Sequence, residues 1–267
     1  MAGLPIVLST LPLISGAAPA TLANGNSSLS ADPGTDHILG SWLIDGKNQL
    51  SIQSLWYRVG SVGGESAIST IPIVNQVQAT SSSLYVKYSN GQFSIETTYS
   101  LVGGAPGSGD SNLGTQVKIT NLGTTALDFH LFQYSDFDLT GASAGDTVLL
   151  GQNLQGGFNE ALQTKASGVF ADTVFTTGAN HGQAGLFPAI LNSLNDGNPT
   201  TLNNNAGPVT GDGTWAVQWD RTIAAGGTLL VGMNNNISIV PVPEPSTLAM
   251  FPLGVAVFMA YRRFRSN

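Results

Sequence analysis

Strict alternation of apolar and polar side chains is the feature that most constrains the fold of this chain. Leu84, Val86 and Tyr88 alternate with polar residues up to Asn90-Gly91, and the alternation resumes over Phe93–Leu101. A period of two is typical of a strand with one buried face. Asn-Gly between two such runs is a strong hairpin signal, because both central residues of a type I′ turn need positive φ. The sequence therefore predicts an antiparallel hairpin with a type I′ turn at Asn90-Gly91.

The same alternation predicts further strands along the chain. They cover Leu50–Val59, Ile71–Val77, Leu113–Asn121, Ala126–Leu139, Asp146–Leu150, Gly168–Thr177, Trp215–Thr222 and Thr228–Val240. Pro72 has no N–H to give to a neighbouring strand, so Ile71–Val77 is predicted at a sheet edge. The third and fourth of these strands are predicted to form a second hairpin across Asn121–Thr125. Trp215 and Trp219 share a face and are predicted in the core, with an exposed platform for sugar rings as the alternative.

One segment has helical spacing instead. Leu186–Leu194 places apolar residues three and four positions apart, with Pro188 near its start and Gly197 beyond its end. We expect a short helix that closes one end of the sandwich.

Composition limits the fold class. With 42% hydrophobic and 9% charged residues, the chain is unlike a disordered protein. It has no cysteine, so its stability must come from core burial. We predict an all-β protein, with residues 24–241 forming a β-sandwich ectodomain of about ten to fourteen antiparallel strands and one short helix.

The charge balance excludes one class of partner. Of 16 acidic and 9 basic residues, Glu244 and three arginines lie after residue 242, which leaves 15 acids against 6 bases before it. A body this acidic repels nucleic acid, so nucleic-acid binding is excluded.

The C-terminal segment, residues 242–267, is predicted to hold a transmembrane helix. Leu248–Tyr261 has no charged or amide side chain, and Arg262, Arg263 and Arg265 follow directly. As a helix it would be about 21 Å long, shorter than the roughly 30 Å hydrocarbon core. Neighbouring neutral residues and snorkelling arginines can cover the difference, with the arginines on the cytoplasmic side. A buried helix of a soluble core is the alternative, and Pro252 with the arginines disfavours it.

Pro243, Glu244 and Pro245 precede this apolar run, and basic residues follow it. This order resembles the PEP-CTERM sorting signal of bacterial exported proteins, over the last 26 residues only. The resemblance implies an exosortase-type processing enzyme as a partner, in a Gram-negative bacterium. It also implies that the inner membrane holds the chain until a cut near Pro243, Glu244 and Pro245 releases it to the envelope or matrix.

Residues 1–23 are predicted to be a truncated signal peptide. An apolar stretch, Leu4–Ile14, is followed by small residues, with cleavage after Ala20 or Ala23. Neither Lys nor Arg precedes the apolar run, which departs from the usual signal. A short N-terminal strand is the alternative.

An aromatic and acidic patch is the candidate ligand site. Tyr134, Asp136 and Asp138 would share one face of an extended strand, and Asp146 follows after a turn. These side chains could bind Ca²⁺ through oxygen, line a sugar-binding face, or act as a carboxylate pair in glycoside chemistry at separations of about 5 to 9.5 Å. Solvated carboxylates at a strand end are the simplest interpretation, and no metal or cofactor is assigned.

Catalytic constellations are nearly absent from the sequence. There is no cysteine nucleophile, the only imidazoles are His37, His130 and His181, and HExxH and P-loop patterns do not occur. His130 is expected to be a paired sheet histidine, and His37 beside Asp36 to be solvated. We therefore expect a protein that is not an enzyme.

Taken with the resemblance, these observations predict an exported bacterial surface or extracellular-matrix protein. Its expected role is structural or adhesive, in exopolysaccharide or biofilm assembly, with exopolysaccharide as a partner. The alternative is a carbohydrate-binding or carbohydrate-active domain that uses the aromatic and acidic patch.

Overall fold

The computed structural model describes residues 17–239. Within that range no helix is long and apolar enough to span a bilayer. The predicted sorting and anchor segment, residues 242–267, lies outside the described residues, as do residues 1–16 of the predicted signal peptide.

The described chain is almost entirely β-structure. Its strands are β1 (Ala20–Asn24), β2 (Ser27–Ala31), β3 (Leu39–Ile44), β4 (Lys47–Asn48), β5 (Ile52–Val59), β6 (Ser66–Ala67), β7 (Ile73–Thr80), β8 (Ser83–Ser89), β9 (Phe93–Gly103), β10 (Asp110–Asn121), β11 (Leu127–Asp136), β12 (Asp146–Gln152), β13 (Phe158–Lys165), β14 (Val169–Ala179), β15 (His181–Leu186), β16 (Val209–Gly211), β17 (Gly213–Ile223) and β18 (Thr228–Ile239). One helix, α1 (Ala189–Leu194), and two 3₁₀ turns, Ile68–Thr70 and Leu139–Gly141, complete it. Eighteen strands exceed the predicted ten to fourteen, partly because β4 and β6 have two residues each, too few to show alternation.

Two antiparallel sheets of nine strands each confirm the predicted all-β, layered fold. Sheet A has the order β1-β2-β3-β5-β11-β17-β15, with β4 paired to β3 and β6 to β5. Sheet B has the order β16-β12-β13-β14-β18-β10-β9-β8-β7. The strand after Pro72 is therefore at a sheet edge, as predicted.

The main core includes the predicted tryptophans. Trp215 and Trp219 are fully buried, and the Phe175 ring of sheet B meets them edge-on, with centroids 5.8 and 5.6 Å away. Edge-to-face contacts of this kind add to the burial of apolar area. The prediction of a core position is confirmed, and neither ring is available to stack on a sugar.

The hairpin at Asn90-Gly91 is confirmed, but its turn type is not the predicted one. β8 pairs with β9 from Ser83 to Ser89. The Asn90 N–H donates to the Phe93 carbonyl at 3.3 Å, so Gly91 and Gln92 are the central residues, and only Gly91 has positive φ, +86°. Asn90 instead uses its side-chain oxygen to accept from the N–H groups of Gln92 and Phe93 at 3.0 and 3.1 Å. Glycine at the first central position is the pattern of a type II′ turn.

The predicted second hairpin is wrong. β10 belongs to sheet B and β11 to sheet A, so residues 121–125 carry the chain from one sheet to the other. Asn121 fixes this crossover, because its buried Nδ2 donates to the carbonyls of Thr125, Ile223 and Ala224 at 2.8, 2.9 and 3.1 Å. Alternation reports that a face is buried but not which strand lies beside it.

Helix α1 exists, but it begins three residues after the predicted start because Leu186 still belongs to β15. It also covers a face of the sandwich rather than an end. Alternating residues of β11 point to opposite sides of sheet A: Phe129 and Leu131 enter the main core, whereas Phe132 and Tyr134 enter a second cluster with Ile190 and Leu194 of α1. The helix therefore covers the outer face of sheet A, the face opposite sheet B.

Residues near the predicted leader boundary are part of the folded body. Ala20–Asn24 forms β1, whose Leu22 is 0% exposed, so the alternative of an N-terminal strand describes this segment. The Ala18 N–H donates to Gln76 Oε1 at 3.1 Å, and Gln76 Nε2 donates to the Ala18 carbonyl at 2.7 Å. A cut after Ala20 or Ala23 would remove part of β1, and the signal-peptide assignment itself stays a prediction.

Candidate functional site

Three carboxylates meet at one end of sheet A. Asp136, Asp138 and Asp212 each place one oxygen within 4.8 Å of the others, and we call them the acidic cluster. Asp136 ends β11, Asp138 precedes the second 3₁₀ turn, and Asp212 lies between β16 and β17. Sequence analysis predicted the first two and missed Asp212.

The chain reaches this arrangement by leaving the extended conformation after Asp136. Asp138 has φ −97° and ψ 74°, and Thr140 in the turn has φ +67°. Phe137 enters the main core between the two aspartates. In the register of sheet A, Asp136 lies opposite Thr214 of β17, and this pairing brings Asp212, just before β17, to the same end. The predicted shared face is thus formed by a turn and a neighbouring strand rather than by one straight strand.

Asp146, the fourth residue of the predicted patch, is not one of the three clustered carboxylates. It is fully buried, and its Oδ2 accepts from Gln163 Nε2 at 3.0 Å and from the Leu139 N–H at 3.4 Å. Its Oδ1 lies 3.3 Å from Lys165 Nζ, which also donates to the Leu139 carbonyl at 2.8 Å. Asp146 therefore holds the turn that positions Asp138 and is already paired.

Two oxygens of the cluster and one beside it have no partner among the described residues. They are Oδ1 of Asp136, Oδ1 of Asp138 and the hydroxyl of Tyr134. Asp136 is 4% exposed and Tyr134 is 0% exposed. The side chain of Thr214 lies near the Tyr134 hydroxyl and favours its ionised form, but the two do not form a well-aligned hydrogen bond. Buried polar groups without partners are uncommon in folded proteins.

The crowded carboxylates change one another's titration. Burial, followed by the charges of Asp138, Asp212 and Asp146, raises the pKa of Asp136 to about 7. Burial and the Asp212 charge raise the pKa of Asp138, while Lys165 and Ser51 oppose the rise. Burial also raises the pKa of Tyr134, and the neighbouring aspartates add to this effect. The site therefore has negative charge that its surroundings do not fully neutralise.

The geometry separates the three predicted uses of the patch. Oxygen-only ligands this close together suit a hard cation. Glycoside chemistry uses carboxyl groups about 5 to 9.5 Å apart; here one oxygen of each carboxylate lies within 4.8 Å of the others, and Asp136 is buried. A sugar-binding face would need an exposed ring, which Tyr134 does not provide. Phe187 does: it is 43% exposed, and its N–H donates to the Asp212 carbonyl at 2.9 Å.

A second polar group lies elsewhere on the outer face of sheet A. His130 Nδ1 is 2.5 Å from Asp220 Oδ1, and His181 Nε2 is 3.4 Å from Asp220 Oδ2. Gln218 Nε2 also donates to Asp220 Oδ1 at 2.8 Å. His130 is thus a paired sheet histidine, as expected, but the link to His181 was missed because the two residues are on separate strands. His37 and Asp36 are both exposed, 3.9 Å apart.

The predicted processing residues Pro243, Glu244 and Pro245, and the basic residues Arg262, Arg263 and Arg265, lie outside the described residues. Their segment is nevertheless recognised by a family model. Residues 241–263 match the PEP-CTERM protein-sorting motif, which confirms the resemblance seen in the sequence. The motif implies export and processing by an exosortase. No curated protein sequence matches the chain.

Solved structures share the fold of the described body at low sequence identity. A bacterial glucoamylase complexed with acarbose gives a TM-score of 0.58 at 8% identity, over 87% of this chain and 34% of the glucoamylase chain. A protein of Synechocystis sp. PCC 6803 gives 0.53 at 11% identity, over 90% of this chain and 100% of its own. A GalM/aldose epimerase homologue from C. elegans gives 0.53 at 9% identity, over 84% and 100%. The chain thus spans about a third of the glucoamylase, and these likenesses concern the fold alone.

Proposed function

We propose that this chain, which carries a PEP-CTERM motif, is a surface or extracellular-matrix protein of a Gram-negative bacterium. Its role is structural or adhesive rather than enzymatic, and it contributes to exopolysaccharide or biofilm assembly. The apolar segment Leu248–Tyr261 holds it in the inner membrane until an exosortase cuts near Pro243, Glu244 and Pro245.

The position of the last strand is the observation that carries this proposal. β18 lies inside sheet B, paired with β10 from Thr228 to Ser238 and with β14 from Val169↔Ile239 to Phe175↔Met233. The motif begins two residues after β18 ends. A pull on the C-terminal end therefore acts along a strand whose backbone hydrogen bonds on both sides must shear together. Such an attachment suits a body that is tethered to a membrane or matrix.

The proposal is tested in a strain that encodes the chain together with an exosortase. We expect the wild-type chain to appear shortened in the envelope or matrix fraction. A variant with Pro243, Glu244 and Pro245 all changed to alanine should stay at full mass in the inner membrane. A strain that lacks the chain should form a biofilm with less retained matrix. Two results together would overturn the proposal: normal biofilm in the strain that lacks the chain, and confinement of the wild-type chain to the cytosol in the strain that encodes it.

A carbohydrate-binding surface at the acidic cluster is the second candidate. It is favoured by Phe187, an exposed aromatic residue whose backbone N–H donates to the Asp212 carbonyl, since sugar sites commonly join an apolar surface to a few polar groups. The fold supports it too, because similar folds occur in a glucoamylase complexed with acarbose and in a GalM/aldose epimerase homologue.

A glycan array probed with the purified full chain in mild detergent tests this second function. We expect saturable binding that Phe187→Ala weakens by about tenfold, which corresponds to the loss of one stacking contact of about 1.4 kcal/mol. Leu154→Ala, at another exposed apolar position, is the matched control and should bind normally. An array without saturable binding removes this candidate and leaves the structural role in place.

A further inference from the structure

Among the described residues, no basic side chain forms a salt bridge with the acidic cluster. The cation that acts on it from the described part of the chain is Lys165, and the Lys165 ammonium is already engaged by Asp146 and by the carbonyls of Leu139 and Ala142, at 3.3, 2.8 and 2.9 Å. Three carboxylates thus share a small volume, and none of them is paired with a basic side chain of residues 17–239. Like charges at this distance repel one another strongly where water is partly excluded.

Buried oxygens without partners give an independent indication of a ligand. The Tyr134 hydroxyl is fully buried and unpaired, and it lies on the same face of β11 as Asp136, two residues away. Oδ1 of Asp136 is buried and unpaired as well. Leaving such groups unsatisfied destabilises the fold, and a cation would satisfy several of these oxygens together.

We propose that Asp136, Asp138 and Asp212 bind a calcium ion, with the Tyr134 hydroxyl on its buried side. Calcium takes six to eight oxygen ligands at about 2.3 to 2.6 Å, so two oxygens on one ion lie at most about 5 Å apart. The cluster oxygens, within 4.8 Å of one another, meet this limit. Zinc prefers nitrogen and sulfur ligands, and none belongs to the cluster. Magnesium demands a tighter octahedron and retains water.

The ion would join segments that are distant in the chain. It would tie the end of β11 and the following turn to the connection between β16 and β17. Because the Asp212 carbonyl of this connection accepts from the Phe187 N–H, the ion would also help to hold Phe187 in place. Exported proteins meet calcium at concentrations that sites with Kd of about 10⁻⁴ to 10⁻³ M can use. The site would therefore fill after export. This role is independent of whether the surface also binds sugar.

Thermal unfolding of the purified full chain with EDTA, CaCl₂ or MgCl₂ tests the proposal, with calorimetric titration of CaCl₂ as the direct measure of binding. At a calcium concentration about 100-fold above Kd we expect Tm to rise by about 5 to 10 °C over EDTA, and MgCl₂ to give less than half of this rise. Asp212→Asn and Asp138→Asn should each weaken calcium binding at least about tenfold. Asp36→Asn, at an exposed position away from the cluster, is the matched control and should respond as wild type does.

The variants also separate a lost ion from a damaged fold. In EDTA, Asp212→Asn and Asp138→Asn relieve repulsion between carboxylates, so their Tm should equal or exceed that of wild type. A wild-type Tm that does not change with calcium, together with no heat of binding, would overturn the proposal. A calcium response that persists in both variants would also overturn it, because the ion would then be bound elsewhere.

Discussion

Arg58 and Glu65 form a buried ion pair on the outer face of sheet A, between Arg58 Nη1 and Glu65 Oε1. The pair also holds a loop against the sheet: Arg58 donates to the Thr200 carbonyl at 2.8 Å, and the Thr200 N–H donates to Glu65 Oε1 at 2.9 Å. The Arg58 guanidinium lies 5.9 Å from the centre of the Phe132 ring. The loop after α1 is thus attached to the sheet by hydrogen bonds between these two charged side chains and the backbone of Thr200.

Removing one partner of this pair should be severely destabilising. Glu65→Gln leaves the Arg58 charge buried without a counter-ion, and we expect a loss of about 3 to 5 kcal/mol in the free energy of unfolding, measured by urea denaturation. Lys118→Ala is the control, because Lys118 lies 3.6 Å from Glu96 in an exposed pair, and it should cost at most about 1 kcal/mol. Equal losses in the two variants would contradict a buried role for the Arg58–Glu65 pair.

Asp45 should make stability depend on pH in acid. Its carboxylate accepts from the N–H groups of Gly107 and Gly109 at 2.6 and 2.9 Å and from Asn26 Nδ2 at 3.0 Å. These bonds, with that from Gly107 the strongest, lower the pKa of Asp45 against a smaller opposing effect of burial. A lowered folded-state pKa means that the stabilisation is complete above the unfolded value of about 3.9 and is lost as pH falls below it.

Asp45→Asn tests this dependence, since Asn tolerates the φ of +49° at this position. We expect the variant to be less stable than wild type at pH 7, with the difference shrinking as the pH falls from 5 towards 3. Urea denaturation at several pH values measures it. A difference that stays constant across that range would show that the Asp45 charge does not matter.

Leu22 should be essential to the body although it lies within the predicted leader. Its side chain is fully buried in the main core, so Leu22→Ala should cost about 2 to 5 kcal/mol. Thr21→Ala, at the exposed neighbouring position, should change stability by less than about 0.5 kcal/mol. If export removes a leader, intact mass of the exported chain should place the cut before Ala18. A mature chain that begins at Asn24 would contradict this prediction.

Local patterns predicted what depends on neighbours in sequence. The β8–β9 hairpin could be predicted because the Asn90-Gly91 turn signal and both strands lie within one short segment. The edge position of β7 followed from Pro72, which lacks an N–H. The core positions of Trp215 and Trp219 followed from their location on the same face of one strand and from their size. In each case one residue or one short alternation decides the outcome.

Contacts between distant segments could not be predicted in this way. Asp212 joins Asp136 and Asp138 only because β17 pairs with β11, and nothing in a polar Gly-Asp-Gly stretch identifies that neighbour. Asp220 and His181 meet for the same reason, across β17 and β15. The strand order of a sheet depends on which faces pack together globally, and period-two alternation is the same for every possible partner.

The crossover at Asn121 provides a prediction that distinguishes two asparagines by the end of the amide they use. Asn121 directs its Nδ2 at three carbonyls, those of Thr125, Ile223 and Ala224, whereas Asn90 uses its oxygen to accept two N–H groups. Aspartate has the same shape but cannot donate when ionised. Asn121→Asp should therefore lose at least about 3 kcal/mol, since it sets a buried charge against carbonyl oxygens, while Asn90→Asp should stay within about 0.5 kcal/mol of wild type. Urea denaturation of both variants at pH 7 measures the difference. Similar stabilities would mean that the change of sheet does not depend on the Asn121 amide.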